Sequence, residues 1–327
     1  MPPHAVLAEP AAAGAAHAAS ALSFVLNCLA GPEEARARIE TVRRVMDEDG
    51  RPYRLHVIDA GHALPDTVGE AAGWAARHDG ALVAAGGDGT LNAVAAAALR
   101  VGCPMGVVPQ GTFNYFARAN GIPTDAEAAL RGLLSSRPTP VQVGLINGRV
   151  FLVNASLGLY PQLLLDREAF KKQHGRSRVN AALAALGTIL RRHRYWTLEL
   201  DLGDRETVVR TATLFVGNNA LQLEQVGLPQ ADAVARGALA AVMVRPVGRL
   251  AMLGLALRGA LGTLGEAPHV IDFAFRRLTV RPATRPRVRA VRVAIDGEVL
   301  TLAAPLTFEV GPRPLLLLLR PGGDATA

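Results

Sequence analysis

From Ala21 onward, apolar runs alternate with stretches whose apolar residues recur at helical spacing. Leu22 to Leu26 and Tyr53 to Ile58 read as strands, and about Glu33 to Asp47 and about Asp66 to His78 as helices, a βαβα rhythm. Ala81 to Ala85 is apolar at every position, which suits a strand buried on both faces of a parallel sheet, and it stops at two glycines. An alanine-rich helix from about Leu91 to Leu99 follows. Met105 to Val108 then reads as another buried strand, and Asn114 to Asn120 as a helical segment.

Past Pro138-Thr139-Pro140 the rhythm changes. Strand-like segments occur at Val141 to Leu145, Val150 to Ala155, Trp196 to Leu202, Thr207 to Val216, Leu239 to Val244, Leu278 to Val280, Val288 to Ile295 and Leu306 to Val310. So many β segments with few helices between them predict a sandwich or barrel. The fold class is therefore α/β plus β: a Rossmann-like N-terminal domain with a parallel sheet, then a β-sandwich-like C-terminal domain. The boundaries are a disordered lead-in over 1–20, an α/β domain over 21–140 and a β-rich domain over 141–327. Helices at about Asn180 to His193 and Leu250 to Leu261 interrupt the β-rich half, each carrying arginines beside leucine and alanine. Packing on a sheet and lying on a membrane surface both produce that pattern.

The 327 residues are enough for two domains, and half of them are apolar, so the chain is globular. Its formal charge of +7 comes almost wholly from arginine, since Lys171 and Lys172 are the only lysines. That balance favours anionic partners. Nucleic acid is excluded by the lack of a helix-turn-helix, a zinc pattern or a basic groove interleaved with aromatics. Cys28 and Cys103 show neither metal nor redox spacing and fit a cytoplasmic protein. The Ala-rich start has no Lys or Arg before Arg36 and is not read as a signal peptide. No apolar stretch reaches a membrane span, so any membrane contact is peripheral.

The chemistry concentrates at two turns. In Ala81 to Asn92, Gly86-Gly87-Asp88-Gly89-Thr90 links a buried strand to a helix N-terminus. Glycines let backbone N–H groups approach an anion, and the helix dipole adds positive potential there. Asp88 suits an anion site only beside Mg²⁺ or where it orients the group receiving a phosphoryl, so it points to catalysis. The second turn, Pro109 to Asn114, also follows a buried strand and would bring Thr112 and Asn114 to the same carboxyl edge. Alone, either turn could be bare connection.

Together the two turns resemble the diacylglycerol kinase catalytic family, which also contains sphingosine and ceramide kinases. The resemblance continues through Phe151 to Gly158, Val216-Gly217-Asn218-Asn219 and Ile295-Asp296-Gly297-Glu298. It implies an ATP-dependent lipid kinase acting on the hydroxyl of diacylglycerol or a related lipid. ATP would lie between the domains, with Gly86, Gly87, Asp88, Gly89, Thr90, Asn92 and Thr112 around its phosphates and Mg²⁺ beside them. Glu298 would accept the lipid proton, with Asp88 as the second catalytic residue. Asp296-Gly297 is also a strong hairpin turn, and both readings hold together. The implied setting is cytoplasmic, with lipid met at the inner membrane surface, and the family allows a homodimer.

Three positions depart from the family: Ala93 replaces a usual glutamate, Tyr115 a usual aspartate, and Arg236 the aspartate that helps hold a structural Mg²⁺ in bacterial relatives. An arginine there excludes that ion by charge, so no structural metal site is expected. Two alternatives remain. NAD kinases share Gly-Gly-Asp-Gly, against which stand Thr112 and Glu298. A catalytically silent lipid- or nucleotide-binding relative is the other, against which stand Asp88 and Glu298.

Overall fold

A computed structural model describes residues 19–29, 32–59, 61–111, 113–174, 195–283 and 288–321. The expected lead-in before residue 19, the helix at Asn180 to His193, and Thr112 lie outside them. The first sheet contains β1 (Leu22–Asn27), β2 (Tyr53–Ile58), β3 (Ala81–Gly86), β4 (Met105–Pro109), β5 (Arg137–Val141) and β18 (Leu315–Leu319), in the order β2-β1-β3-β4-β18-β5. β1 to β4 are mutually parallel. Helices α1 (Pro32–Asp49), α2 (Leu64–Arg77) and α3 (Asp88–Val101) connect them, followed by α4 (Tyr115–Ala119) and α5 (Ala126–Leu134).

Strand alternation explains why β3 is apolar throughout. Leu82 and Ala84 enter the core shared with α2 and α3, while Val83 and Ala85 enter the opposite core, with Val45 and Met46 of α1 and Leu130 and Leu133 of α5. A strand covered on both faces has no side that water would let it keep polar.

The remaining strands form two antiparallel sheets. One runs Glu206–Thr211, Trp196–Asp201, Arg277–Pro282, Leu306–Val310, Gly144–Ile146, Arg149–Phe151 (β10-β9-β14-β17-β6-β7). The other runs Val270–Phe275, Leu239–Val244, Thr213–Gly217, Asn154–Gly158, Ala290–Ile295, Glu298–Ala303 (β13-β12-β11-β8-β15-β16). Their inner faces share one core, with Phe151, Leu198, Leu278 and Phe308 from the first sheet and Leu157, Leu214, Met243 and Val293 from the second. This is the expected sandwich. Helices α6 (Leu159–His174), α7 (Ala220–Gln225), α8 (Ala231–Ala235) and α9 (Arg249–Ala260) lie among these strands in sequence.

Several features depart from the sequence reading. Thr207 to Val216, expected as one strand, is β10 and β11, which lie in different sheets, and Val141 to Leu145 is likewise divided between β5 and β6. The leucines from Leu315 onward, unassigned to any element, form β18, which pairs parallel with β4 and antiparallel with β5. The chain end thereby returns to the first sheet. The expected single strand from Val150 to Ala155 is instead β7 and β8, separated at Leu152-Val153, where the backbone turns from one sheet to the other. The N–H groups freed by that break are taken by the carboxylate of Asp296, described below. No helix among the described residues is long and apolar enough to cross a membrane.

Candidate active site

In the order β2-β1-β3-β4 the chain winds outward in opposite directions from the junction of β1 and β3. Ligands of open parallel sheets bind at the carboxyl edge of such a junction, where the loops diverge and leave a crevice. Asn27 ends β1, Gly86 ends β3, and the glycine-rich turn starts at that point.

The turn is tighter than its sequence suggests, because α3 begins at Asp88 with Gly87 as its N-cap in an extended conformation. The earliest helical bond runs from Leu91 N–H to Gly87 C=O at 3.0 Å. The N–H groups of Asp88, Gly89 and Thr90 precede it, and no side chain caps them. Three donors at a positive helix terminus form a ready anion site. Gly86 is required by packing, since a Cβ there would lie 2.7 Å from the Thr90 side chain. Gly87 has open space in the same direction. The buried Thr90 hydroxyl accepts from Asn27 Nδ2 at 3.2 Å, leaving its own proton to donate.

Gly89 serves a different purpose. A methyl group at its Cα would overlap the Glu298 carboxylate, which reaches across from the first residue of β16. Glu298 therefore touches the glycine-rich turn although 209 positions separate it from Gly89. Asp88, Gly89, Thr90 and Glu298 line a cavity of about 400 Å³ with Asn27, Asp59 and His62. Within it the Asp88 carboxylate has no hydrogen-bond or ion-pair partner among the described residues. Burial, together with the nearby Asp296 carboxylate, pushes its pKa up to about 6.

The Asp-Gly pair that carries Glu298 is a hairpin turn between β15 and β16. Asp296 and Gly297 have φ of 44° and 89°, and Ile295 pairs with Glu298 across it. The Asp296 side chain turns inward and is buried. It accepts from the backbone N–H of Leu152, Val153 and Asn154 at 2.7, 2.9 and 3.0 Å, and from Asn92 Nδ2 at 2.8 Å. Burial pushes this carboxyl up, against the four donors that hold it down. Asn92 also donates to Val150 C=O at 2.8 Å. Its amide is thus engaged in joining α3 to the sandwich rather than lining the cavity with the glycines.

The second turn reaches the first. A Cβ on Gly111 would stand 3.7 Å from Gly87 Cα, and Gly111 N–H donates to Asn114 Oδ1 at 2.9 Å. Thr112, between them, is outside the described residues. The later sequence blocks tie together the segments around the break between β7 and β8. Asn218 donates to Leu152 C=O at 2.9 Å and accepts from Gln142 at 2.7 Å, while Asn219 caps α7 and donates to Tyr115 C=O at 3.1 Å. Of the departures, Ala93 packs on the α2–α3 core, and the Tyr115 ring stacks on Phe113 at 5.8 Å beneath the Arg118 guanidinium. Arg236 is exposed at the C-terminus of α8. Among the described residues, no three His, Cys, Asp or Glu side chains gather to hold a metal.

This geometry agrees with a comparison of sequences: the family model described as "Diacylglycerol kinase catalytic domain" matches residues 21–146. A "Probable lipid kinase YegS-like" protein of Pseudomonas aeruginosa (strain UCBPP-PA14) is 40% identical over 135 residues, which is 39% of this chain and 41% of that protein. The "Diacylglycerol kinase" of Bacillus subtilis (strain 168) is 32% identical over 150 residues, 44% of this chain and 47% of its own length. The chain thus matches somewhat under half the length of these relatives. A crystal structure of a diacylglycerol kinase from Bacillus anthracis str. Sterne shares the fold over 92% of this chain and 97% of its own, with a TM-score of 0.65 at 16% identity. A second structure from that strain covers 93% and 98% with a TM-score of 0.72, also at 16% identity.

Around the glycine-rich turn, sequence reasoning missed Asn27, Asp59, His62 and Gln110. Asp59 follows β2 and accepts from the His62 ring at 2.9 Å, which is the main reason its carboxyl is held below the usual range. Gln110 follows β4, and its Oε1 is buried without a partner. The signal was available: each of Asn27, Asp59 and Gln110 ends or follows a parallel strand, where ligands of such sheets are met.

Proposed function

We propose that the chain is an ATP-dependent lipid kinase that phosphorylates the hydroxyl of diacylglycerol or a related lipid. The contact of Glu298 with Gly89 carries this reading, because it sets a carboxylate from the second domain against the anion-binding helix terminus of the first. The relatives described as lipid and diacylglycerol kinases support it. The cavity residues also fit the groups such a reaction needs. Uncapped N–H groups of Asp88, Gly89 and Thr90 suit phosphate oxygens, and the unpartnered Asp88 carboxylate suits a hard cation.

When bound, ATP would supply the phosphoryl group and Mg²⁺ would offset the charge on its phosphates. Gly87 gives the phosphates close access to the backbone, and Thr90 adds a hydroxyl donor. Thr112 is proposed beside them. Glu298 takes the proton of the lipid hydroxyl as that oxygen bonds to the γ-phosphorus and the bond to the bridging oxygen breaks, its electron pair leaving with ADP. Asn92 acts at one remove by fixing Asp296, whose turn presents Glu298. With Arg236 in place of a carboxylate, no structural metal is proposed.

A second assignment of the proton acceptor has an observation in its favour. A carboxyl at about 6 suits a general base near neutral pH, and that carboxyl belongs to Asp88. An assay with radiolabelled ATP against diacylglycerol, ceramide, sphingosine, phosphatidylglycerol and NAD in mixed micelles tests both. The expected result is a labelled lipid, with turnover reduced at least about a hundredfold in Glu298→Gln. Labelling of NAD alone would reject the lipid reading. Asp88 becomes the proton acceptor if Glu298→Gln retains near-normal turnover while Asp88→Asn abolishes it.

A further inference from the structure

Helix α9 has two apolar faces, and only one is packed on other described residues. Met252 and Leu255 are buried against a cluster that includes Leu159 and Leu163 of α6 and Val247. On the other side Leu250, Leu253, Leu257 and Leu261 are 82%, 38%, 60% and 69% exposed. At about 100° per residue these four fall within roughly 80° of arc, centred opposite Met252 and Leu255. They form one continuous ridge. An isolated exposed leucine needs no explanation, but four in a row on one helix face do.

The charges beside the ridge identify what covers it. Arg249 and Arg258 flank it on either side, and Arg245 lies just before the helix. All three are exposed, and none has an ion-pair or hydrogen-bonded side-chain partner among the described residues. No aspartate or glutamate occurs between Asp232 and Glu266. A contact between two copies of this face would set like charges together, which is costly. A ridge of leucines bordered by cations and free of anions instead matches the boundary between acyl chains and anionic headgroups. At 12 residues the helix is about 18 Å long and too short to span a bilayer. It can only lie in the plane of the surface.

We infer that α9 docks the protein on an anionic lipid bilayer, with Leu250, Leu253, Leu257 and Leu261 entering the acyl boundary and Arg245, Arg249 and Arg258 on the headgroups. This goes beyond the kinase reading, since it requires no catalysis. It also bears on it: α9 and α6 share one cluster, so a docked α9 holds the sandwich domain against the phase where a lipid substrate resides.

Flotation with vesicles, without nucleotide, tests the surface independently of turnover. Equimolar phosphatidylcholine and phosphatidylglycerol vesicles should carry the wild-type protein upward, and pure phosphatidylcholine much less of it. Leu250→Ser with Leu257→Ser should weaken partition by about a hundredfold, roughly tenfold for each leucine. Arg249→Gln with Arg258→Gln should remove the preference for the anionic vesicles. Unchanged melting temperatures would confirm that these exposed substitutions leave the fold intact. The inference is overturned if the wild type does not float, or if the serine variant floats equally well. It is likewise overturned if the wild type sediments as a dimer that the serine changes dissociate, which would make the ridge a contact between two copies.

Discussion

The side-chain amide of Asn92 donates to Asp296 Oδ2 at 2.8 Å across 204 positions of sequence. It joins the helix that begins at the glycine-rich turn to the hairpin that carries Glu298. The two halves of the proposed site are therefore set by one buried polar network, and each member of it has a separable consequence.

Asp296→Ala should destabilise the protein by about 3 kcal/mol or more. It strands the N–H groups of Leu152, Val153 and Asn154 and the Asn92 amide, and each hydrogen bond to a charged group contributes about 1.5–3 kcal/mol. Urea unfolding midpoints measure the loss. Asn92→Ala should cost less, about 1–2 kcal/mol, because it removes one of the four donors.

Gly89→Ala should lower turnover about a hundredfold while leaving the melting temperature nearly unchanged. The added methyl displaces only the tip of Glu298, a flexible side chain on the surface. Melting by circular dichroism beside the kinase assay separates the two effects. A large fall in melting temperature would show that the turn, not the carboxylate, yields.

The neighbouring glycines should behave oppositely to each other. Gly86→Ala forces a Cβ to 2.7 Å from buried Thr90 and should cost about 1–3 kcal/mol of stability. Gly87→Ala meets nothing within 4 Å, so the fold should tolerate it. Its methyl would occupy the space proposed for phosphate, and the KM for ATP should rise about tenfold, read from initial rates.

Asp88 should make the free protein's stability depend on pH. Its pKa is about 6 when folded against an ordinary 3.8, so the native state holds the proton more tightly than the unfolded chain. That contribution is fully present below about pH 4 and is lost as pH rises through about 6. Asp88→Asn, neutral throughout, should melt about 2–4 °C above the wild type at pH 7.5, and the two should converge near pH 4. Melting curves across this range provide the check, and a constant difference would rule the assignment out.

The α/β and sandwich halves were legible in sequence because burial on both faces and alternation leave a local record. Ala81 to Ala85 is the clearest instance, with Leu82 and Ala84 serving one core and Val83 and Ala85 the other. The glycine-rich turn was legible too, since a strand, two glycines and a helix start are consecutive in the chain. Asp296-Gly297 announced its hairpin by the positive φ that the turn demands. What lay beyond local pattern was everything that depends on a distant partner. The break at Leu152-Val153 exists because Asp296 takes the freed N–H groups, and Leu315–Leu319 becomes a strand because β4 offers it an edge. Nor could periodicity say which face of α9 is covered, for both are apolar. Sequence thus determined most of the elements and the glycine-rich turn, whose causes act within a few residues. Only the tertiary structure decided what Glu298, Asn92 and the α9 leucines face, because such contacts are made by the packing of whole domains.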